Sequence, residues 1–298
     1  MKHEIDLKDY DLRTDMIIDN NFDIKTNKYK INGLNVEEID INSKLSKKLN
    51  KKKGKYLTLS FKDVTDKDNY KQVEKAFIKC LDLFLNKLKL KNKNNILIIG
   101  LGNNEVTPDS LGPKVIDNIL VTRYLYLLDV VGKGYKMTSA IKPSVTGVTG
   151  IETSNLIKSV INVVKPDYII VVDALKSNSI NRVNKTIQIT NSGINPGSGI
   201  GNNRKEISKE TIGIPVIAIG VPTVIDGITI LYDTLINNDK VFSLFEGYSK
   251  DNFKELMEPY DNLIVTPKEI DFVIEKLSVL IGNSINKVLH KSYNLNKN

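Results

Sequence analysis

The sequence predicts an α/β protein built on a mostly parallel sheet with helices on both faces. Two observations predict it. Wholly apolar runs of strand length occur at 96–99, 168–172 and 215–219, and a strand buried on both faces reads as such a run rather than as an alternation. Stretches with apolar residues at spacings of three and four lie between them, and strands alternating with helices build parallel sheets covered on both sides.

In chain order, residues 1–55 are polar and rich in Lys, Asn and Asp, with short apolar pairs such as Ile17-Ile18, and predict an extended arm or loosely built lead-in. The first helix is predicted over 70–90, where Val73, Phe77, Leu81, Phe84, Leu85 and Leu88 form one stripe. Cys80 inside it is expected as a small core residue. The run 96–99 ends in Gly100-Leu101-Gly102, a strand entering a loop. Helices are predicted from about 111–113 through Leu120, and over 152–164 with Leu156, Val160, Ile161 and Val164 inward. The run 168–172 is followed directly by Asp173. A strand at 186–190 enters a glycine-rich loop, and the next strand is expected at 215–220. The C-terminal helix is expected to start with Thr266 as N-cap, Pro267 at the first helical position and Glu269 at the capping-box position.

With 298 residues, 41% hydrophobic and 26% charged, the composition is that of a globular protein. The single cysteine excludes an internal disulfide framework. His3 and His290 sit at opposite ends of the chain and supply a zinc site poorly, so no metal and no cofactor is expected. The charged start Met1-Lys2-His3-Glu4 lacks the apolar stretch of a secretory signal, and no run approaches the roughly 18–20 apolar residues of a membrane span. A cytoplasmic chain without membrane contact is expected. The net charge of +8 invites a nucleic-acid partner, yet only Lys47-Lys48 and 51–53 cluster, without interleaved aromatics. A solvated basic surface is the expectation.

Open α/β sheets gather ligands and catalytic groups beyond the carboxyl ends of their strands. Asp109 lies in the loop after the first apolar run and Asp173 at the end of the second, so both are expected at one edge of the sheet. Two carboxylates brought together can activate a water, one taking its proton while the other, protonated, serves as acid. An aspartate at a strand end also serves as a helix cap or turn former. Gly100-x-Gly102 lacks the third glycine of the dinucleotide fingerprint, and Glu105 and Asp109 beside it would repel a pyrophosphate. The loop containing Gly197, Ser198 and Gly199 exposes backbone N–H groups that suit an oxyanion site or an extended-peptide groove; a flexible surface loop has the same composition.

Several segments in order carry a family resemblance: Gly100-Leu101-Gly102-Asn103, Val106-Thr107-Pro108-Asp109-Ser110-Leu111-Gly112-Pro113, Gly147-Val148-Thr149-Gly150-Ile151-Glu152-Thr153, Val172-Asp173-Ala174-Leu175, Ile194-Asn195-Pro196-Gly197-Ser198-Gly199, Gly213-Ile214-Pro215-Val216, Gly220-Val221-Pro222-Thr223-Val224 and Val265-Thr266-Pro267-Lys268-Glu269. Together they resemble the germination protease family, which degrades small acid-soluble spore proteins. The resemblance implies an atypical aspartic endopeptidase, similar in fold to hydrogenase-maturation peptidases, with Asp109 and Asp173 as its two functional aspartates. It implies a zymogen that removes its own N-terminus, with a propeptide over 1–15, a cut between Asp15 and Met16, and one α/β peptidase domain over 16–298. It further implies a homotetramer of the spore core, with protein substrates and no direct contact to nucleic acid. The family leads one to expect a glycine turn near Ser144-Val145-Thr146-Gly147, where Ser144 departs from it, and a longer stretch than this chain has between about 238 and 260. Two competing readings remain: a metal-dependent maturation-type peptidase using Glu105, Asp109 and Asp173 as oxygen ligands, and a basic nucleic-acid-binding protein.

Overall fold

The computed structural model describes residues 26–49, 51–196, 205–236, 258–260 and 263–294. The apolar runs become central strands: Ile96, Leu97, Ile98 and Ile99, and Tyr168 through Val172, are all fully buried. Fully burying one such aliphatic side chain is worth about 1.5–3 kcal/mol, so these runs cannot sit at a half-exposed edge without a large loss.

The strands are β1 (Asn27–Ile31), β2 (Leu34–Ile41), β3 (Gly54–Ser60), β4 (Asn95–Gly100), β5 (Met137–Ile141), β6 (Tyr168–Ser177), β7 (Thr186–Thr190), β8 (Val216–Asp226) and β9 (Ile264–Val265). They form one sheet in the order β1-β2-β3-β7-β8-β6-β4-β5, with β9 beside the end of β8. Pairings among β8, β6, β4 and β5 are parallel. Those joining β8 to β7, β3, β2 and β1 are antiparallel. The expected parallel sheet is thus one half of a mixed sheet.

The helices are α1 (Ser43–Leu49), α2 (Lys67–Lys87), α3 (Leu111–Asp117), α4 (Arg123–Leu127), α5 (Thr146–Thr149), α6 (Thr153–Val164), α7 (Lys209–Ile212), α8 (Gly227–Ile236) and α9 (Ile270–Leu289). One face of the sheet, including Ile96, Ile98, Ile170 and Ile217, packs against Phe77 and Phe84 of α2, Val115 of α3 and Leu277 and Ile281 of α9. The opposite face, with Leu97, Ile99, Ile169 and Val171, packs against Ile157 of α6 and against Ile194 and Ile207. Helices therefore cover both faces, as expected. In α2, Asp66 caps the first turn by accepting from the N–H groups of Asp68 and Asn69, and Cys80 sits fully buried in the apolar stripe. Burial pushes its thiol up to about 12, which makes it a core residue and not a nucleophile.

The structure corrects four expectations. The polar lead-in is not a loose arm from Asn27 onward. Asn32 and Gly33, with φ of 48° and 80°, make the two-residue turn of a β1–β2 hairpin, and β3 joins that hairpin to β7. The strands at 168 and 216 do not stop at 172 and 220, because each keeps the other as hydrogen-bond partner as far as Ser177 and Ile225. Helix α3 ends at Asp117 rather than Leu120, whose N–H donates to Asn286 Oδ1 of α9 at 2.9 Å. Helix α9 starts at Ile270, with Glu269 as N-cap; the Thr266 hydroxyl is taken by the Thr223 carbonyl of β8 and caps nothing.

At the end of α9, fully buried His290 accepts the Lys136 N–H through Nδ1 at 3.1 Å. Burial, reinforced by the Lys136 charge, holds its imidazole down to about 4 from the ordinary 6.5. The unfolded chain therefore binds the extra proton first, and stability present above pH 6.5 is lost as the pH falls from about 6.5 towards 4. His290→Asn keeps an acceptor for the Lys136 N–H and removes the titration. Urea midpoints at pH 7 and 4.5 are expected to differ less in this variant than in the parent.

Candidate active site

Strand β4 ends where the sheet steps. Gly100 opposite Val172 is its last pair with β6, and the next N–H, of Leu101, donates to the Val172 carbonyl at 2.8 Å. Beyond that step β6 continues beside β8, and Asp173, opposite Gly220, is the first residue past the end of β4. It lies inside the extended strand, not after it, and is 4% exposed. Alternation along β6 places it on the same side as Ile169 and Val171.

The chain leaving β4 turns back over this step. Gly102 has φ of +112°, and a Cβ there would stand 2.0 Å from the Asp109 carbonyl oxygen. A Cβ on Gly112 would meet the Leu101 oxygen at 2.2 Å and the Val172 oxygen at 2.6 Å. Glycine at these places lets backbone lie directly on backbone. Asn103 donates its N–H to Asp109 Oδ2 at 2.7 Å, and its own side chain accepts the Glu105 N–H at 3.0 Å. The 3-10 turn Thr107–Asp109 follows, closed by the Ser110 hydroxyl on the Thr107 carbonyl at 2.8 Å. This turn packs against β6, β8 and α9, so the half-buried Asp109 comes to the sheet edge that carries Asp173.

Sequence reasoning missed the supports around the pair. Leu175 pairs with Pro222 and Lys176 with Val224, so Thr223 is the extra residue of a β-bulge. Its hydroxyl donates to the Pro108 carbonyl at 2.7 Å, and its own carbonyl accepts from the Thr266 hydroxyl at 2.9 Å. The readable signal was Pro222-Thr223 inside an apolar run: proline cannot donate to a ladder and, within a sheet, favours bulges and edges. Three residues beyond Asp173, Lys176 pairs with Asp226 at 2.7 Å, with side chains only 13% and 10% exposed. Nothing in their spacing of fifty residues announces this pair.

The other expected site residues fare differently. Glu105 is exposed, and among the described residues no three His, Cys, Asp or Glu side chains are grouped to hold a metal. Gly197, Ser198 and Gly199 lie outside the described residues, as do Asp15 and Met16. The stem of the glycine loop is described: Ile194 and Ile207 exchange two backbone hydrogen bonds of 2.9 Å. Because β7 runs antiparallel to β8, this stem leaves the sheet at the edge opposite Asp173. Ser144 has φ of +61°, the conformation for which glycine was expected there.

Two charges in a nearly dry site are stable only together, and removing one partner of such a pair costs about 3–5 kcal/mol, whereas apolar replacement of both is often neutral. Lys176→Met is therefore expected to lower the urea-derived unfolding free energy by about 3 kcal/mol or more, and Lys176→Met combined with Asp226→Leu to recover most of it.

Comparison with known proteins identifies the lineage. The family model described as germination protease matches residues 3–252. A germination protease from Priestia megaterium is 37% identical, aligned over 97% of this chain and 96% of that protein. One from Clostridium acetobutylicum is 39% identical over 92% of this chain and 90% of that protein. The first alignment spans 357 positions against 298 residues here, so that relative carries inserted segments this chain lacks. Among solved structures, a hydrogenase maturation protease from Thermococcus kodakarensis aligns with 70% of this chain and 98% of its own at 16% identity and a TM-score of 0.38. On the family model and the near full-length relatives, this chain belongs to the germination protease family, a family of peptide hydrolases.

Proposed function

We propose that this chain is an endopeptidase that initiates the degradation of small acid-soluble spore proteins during germination, with Asp109 and Asp173 activating the attacking water. The observation that carries the reading is the turn Thr107–Asp109 packed on β6 and β8, the two strands that meet at Asp173 and Gly220. One carboxylate takes the water's proton as the other, protonated, supports the carbonyl or the leaving amine; a carboxyl pair at short range shares a proton because both cannot ionise cheaply. The Asn103 N–H on Asp109 Oδ2 fixes the direction in which that carboxylate presents its remaining lone pairs.

The same proposal includes synthesis as a zymogen, self-cleavage between Asp15 and Met16 to release 1–15, and work in the spore core on protein substrates without direct contact to nucleic acid. It includes assembly into a homotetramer. Leu127 and Leu128, 73% and 67% exposed at the end of α4, together with Tyr124 and Val130, offer an apolar surface suited to subunit contact. Of the 47–53 lysines, Lys52 is ion-paired with Glu206, which weakens the case for a DNA-binding patch.

Mass spectrometry of the full chain after incubation at mildly acidic pH is expected to show a new N-terminus at Met16. Asp109→Asn and Asp173→Asn are each expected to slow that cleavage, and digestion of a purified small acid-soluble spore protein, by about 10³-fold or more. Normal self-cleavage by either variant would sink the aspartate pair.

A further inference from the structure

Resting on the aspartate-pair reading above, we infer that Thr223 is the positioning residue of the site, holding the Asp109 backbone in register with Asp173. The bulge carries the inference. An extra residue in one strand of a pair bends that strand and re-aims a side chain. Here the extra residue is Thr223, fully buried, and its hydroxyl reaches the Pro108 carbonyl at 2.7 Å. The Pro108 carbonyl and the Asp109 N–H belong to one peptide plane. Thr223 holds the oxygen side of that plane, and the Val106 carbonyl accepts the N–H side at 2.8 Å. A peptide plane bound at both ends cannot rotate, so the Asp109 N–Cα bond is set from β8, and the Ser110 N–H on the Thr107 carbonyl at 3.0 Å holds the next plane and with it the Cα–Cβ direction. The carboxylate is then held at its far end by the Asn103 N–H.

The tie crosses the site in a useful way. Asp173 lies opposite Gly220 of β8, and Thr223 is three residues farther along the same strand. Strand β8 therefore contacts both halves of the pair, pairing with the backbone of one and hydrogen-bonding the backbone that carries the other. The Thr266 hydroxyl holds the Thr223 carbonyl at 2.9 Å, fastening the bulge to the segment that leads into α9. A valine of equal shape at 223 would leave the partly buried Pro108 carbonyl without this donor, and small displacements of a reacting group cost up to about 10²-fold in rate.

The test uses the chain after its self-cleavage, acting on a purified small acid-soluble spore protein. Thr223→Val is expected to lower kcat by roughly tenfold to hundredfold with KM within about threefold of the parent. It is also expected to move the pH–rate profile, since the spacing of two carboxyls sets how they share a proton. Thr223→Ser keeps the donor and is expected to restore most of the rate. Thr266→Val loosens the bulge without removing that hydroxyl, and is expected to show a smaller kcat loss of the same kind, larger than its modest drop in melting temperature accounts for. Full activity in Thr223→Val, a serine variant as slow as the valine one, or a loss that only follows melting temperature would overturn the inference. Asp109→Asn and Asp173→Asn run alongside separate the two ideas. If they stay active, the aspartate pair itself is wrong; if they are dead while Thr223→Val is fully active, only the role of Thr223 is wrong.

Discussion

The close approach of backbone to backbone at the end of β4 is the constraint on which the rest depends. Gly100, Gly102 and Gly112 leave no room for a Cβ against Gly112, Asp109, Leu101 and Val172. This contact lays the turn Thr107–Asp109 over the step where β4 stops and β6 goes on. With a side chain at Gly112, helix α3 would have to lift from the sheet, carrying the turn with it. The three glycines are therefore a steric requirement of this turn, and two of them are the Gly100-x-Gly102 pair.

The second determinant is the long ribbon formed by β6 and β8. Its parallel pairing persists past the end of β4 and accommodates one bulged residue. Past the step, β6 has lost its neighbour β4, and the turn with Asp109 packs on the ribbon. A buried ion pair, Lys176 with Asp226, closes the far end of the ribbon. Replacing such a pair with apolar residues is often neutral, whereas losing one partner leaves the other charge buried and uncompensated, so Lys176 and Asp226 tie β6 to β8 as a unit.

The central strands were legible from local pattern. Four consecutive aliphatics announce a strand buried on both faces. The β1–β2 hairpin was also written plainly, in Asn32-Gly33 between alternating residues, but the high polarity of the first fifty residues hid it. The supports of the site were not legible in the same way. Thr223 and Pro108 are joined across 115 residues, and Thr266 and Thr223 across 43. Neither link leaves a periodic trace.

By itself the sequence determined the α/β class, the central strands, the helices on both faces and the placing of Asp109 in the turn that follows β4. Each of these follows from spacing within one element, where burial of a periodic apolar face outweighs every other local term. Only the tertiary structure decided how far β6 and β8 run, which residue bulges, where α9 begins and which carbonyl each threonine serves. Those outcomes depend on which hydrogen-bond partner arrives from a distant segment. Thr266 shows the reason: a free helix start would use its hydroxyl as a cap, but the Thr223 carbonyl lies within reach, and the hydroxyl is spent there.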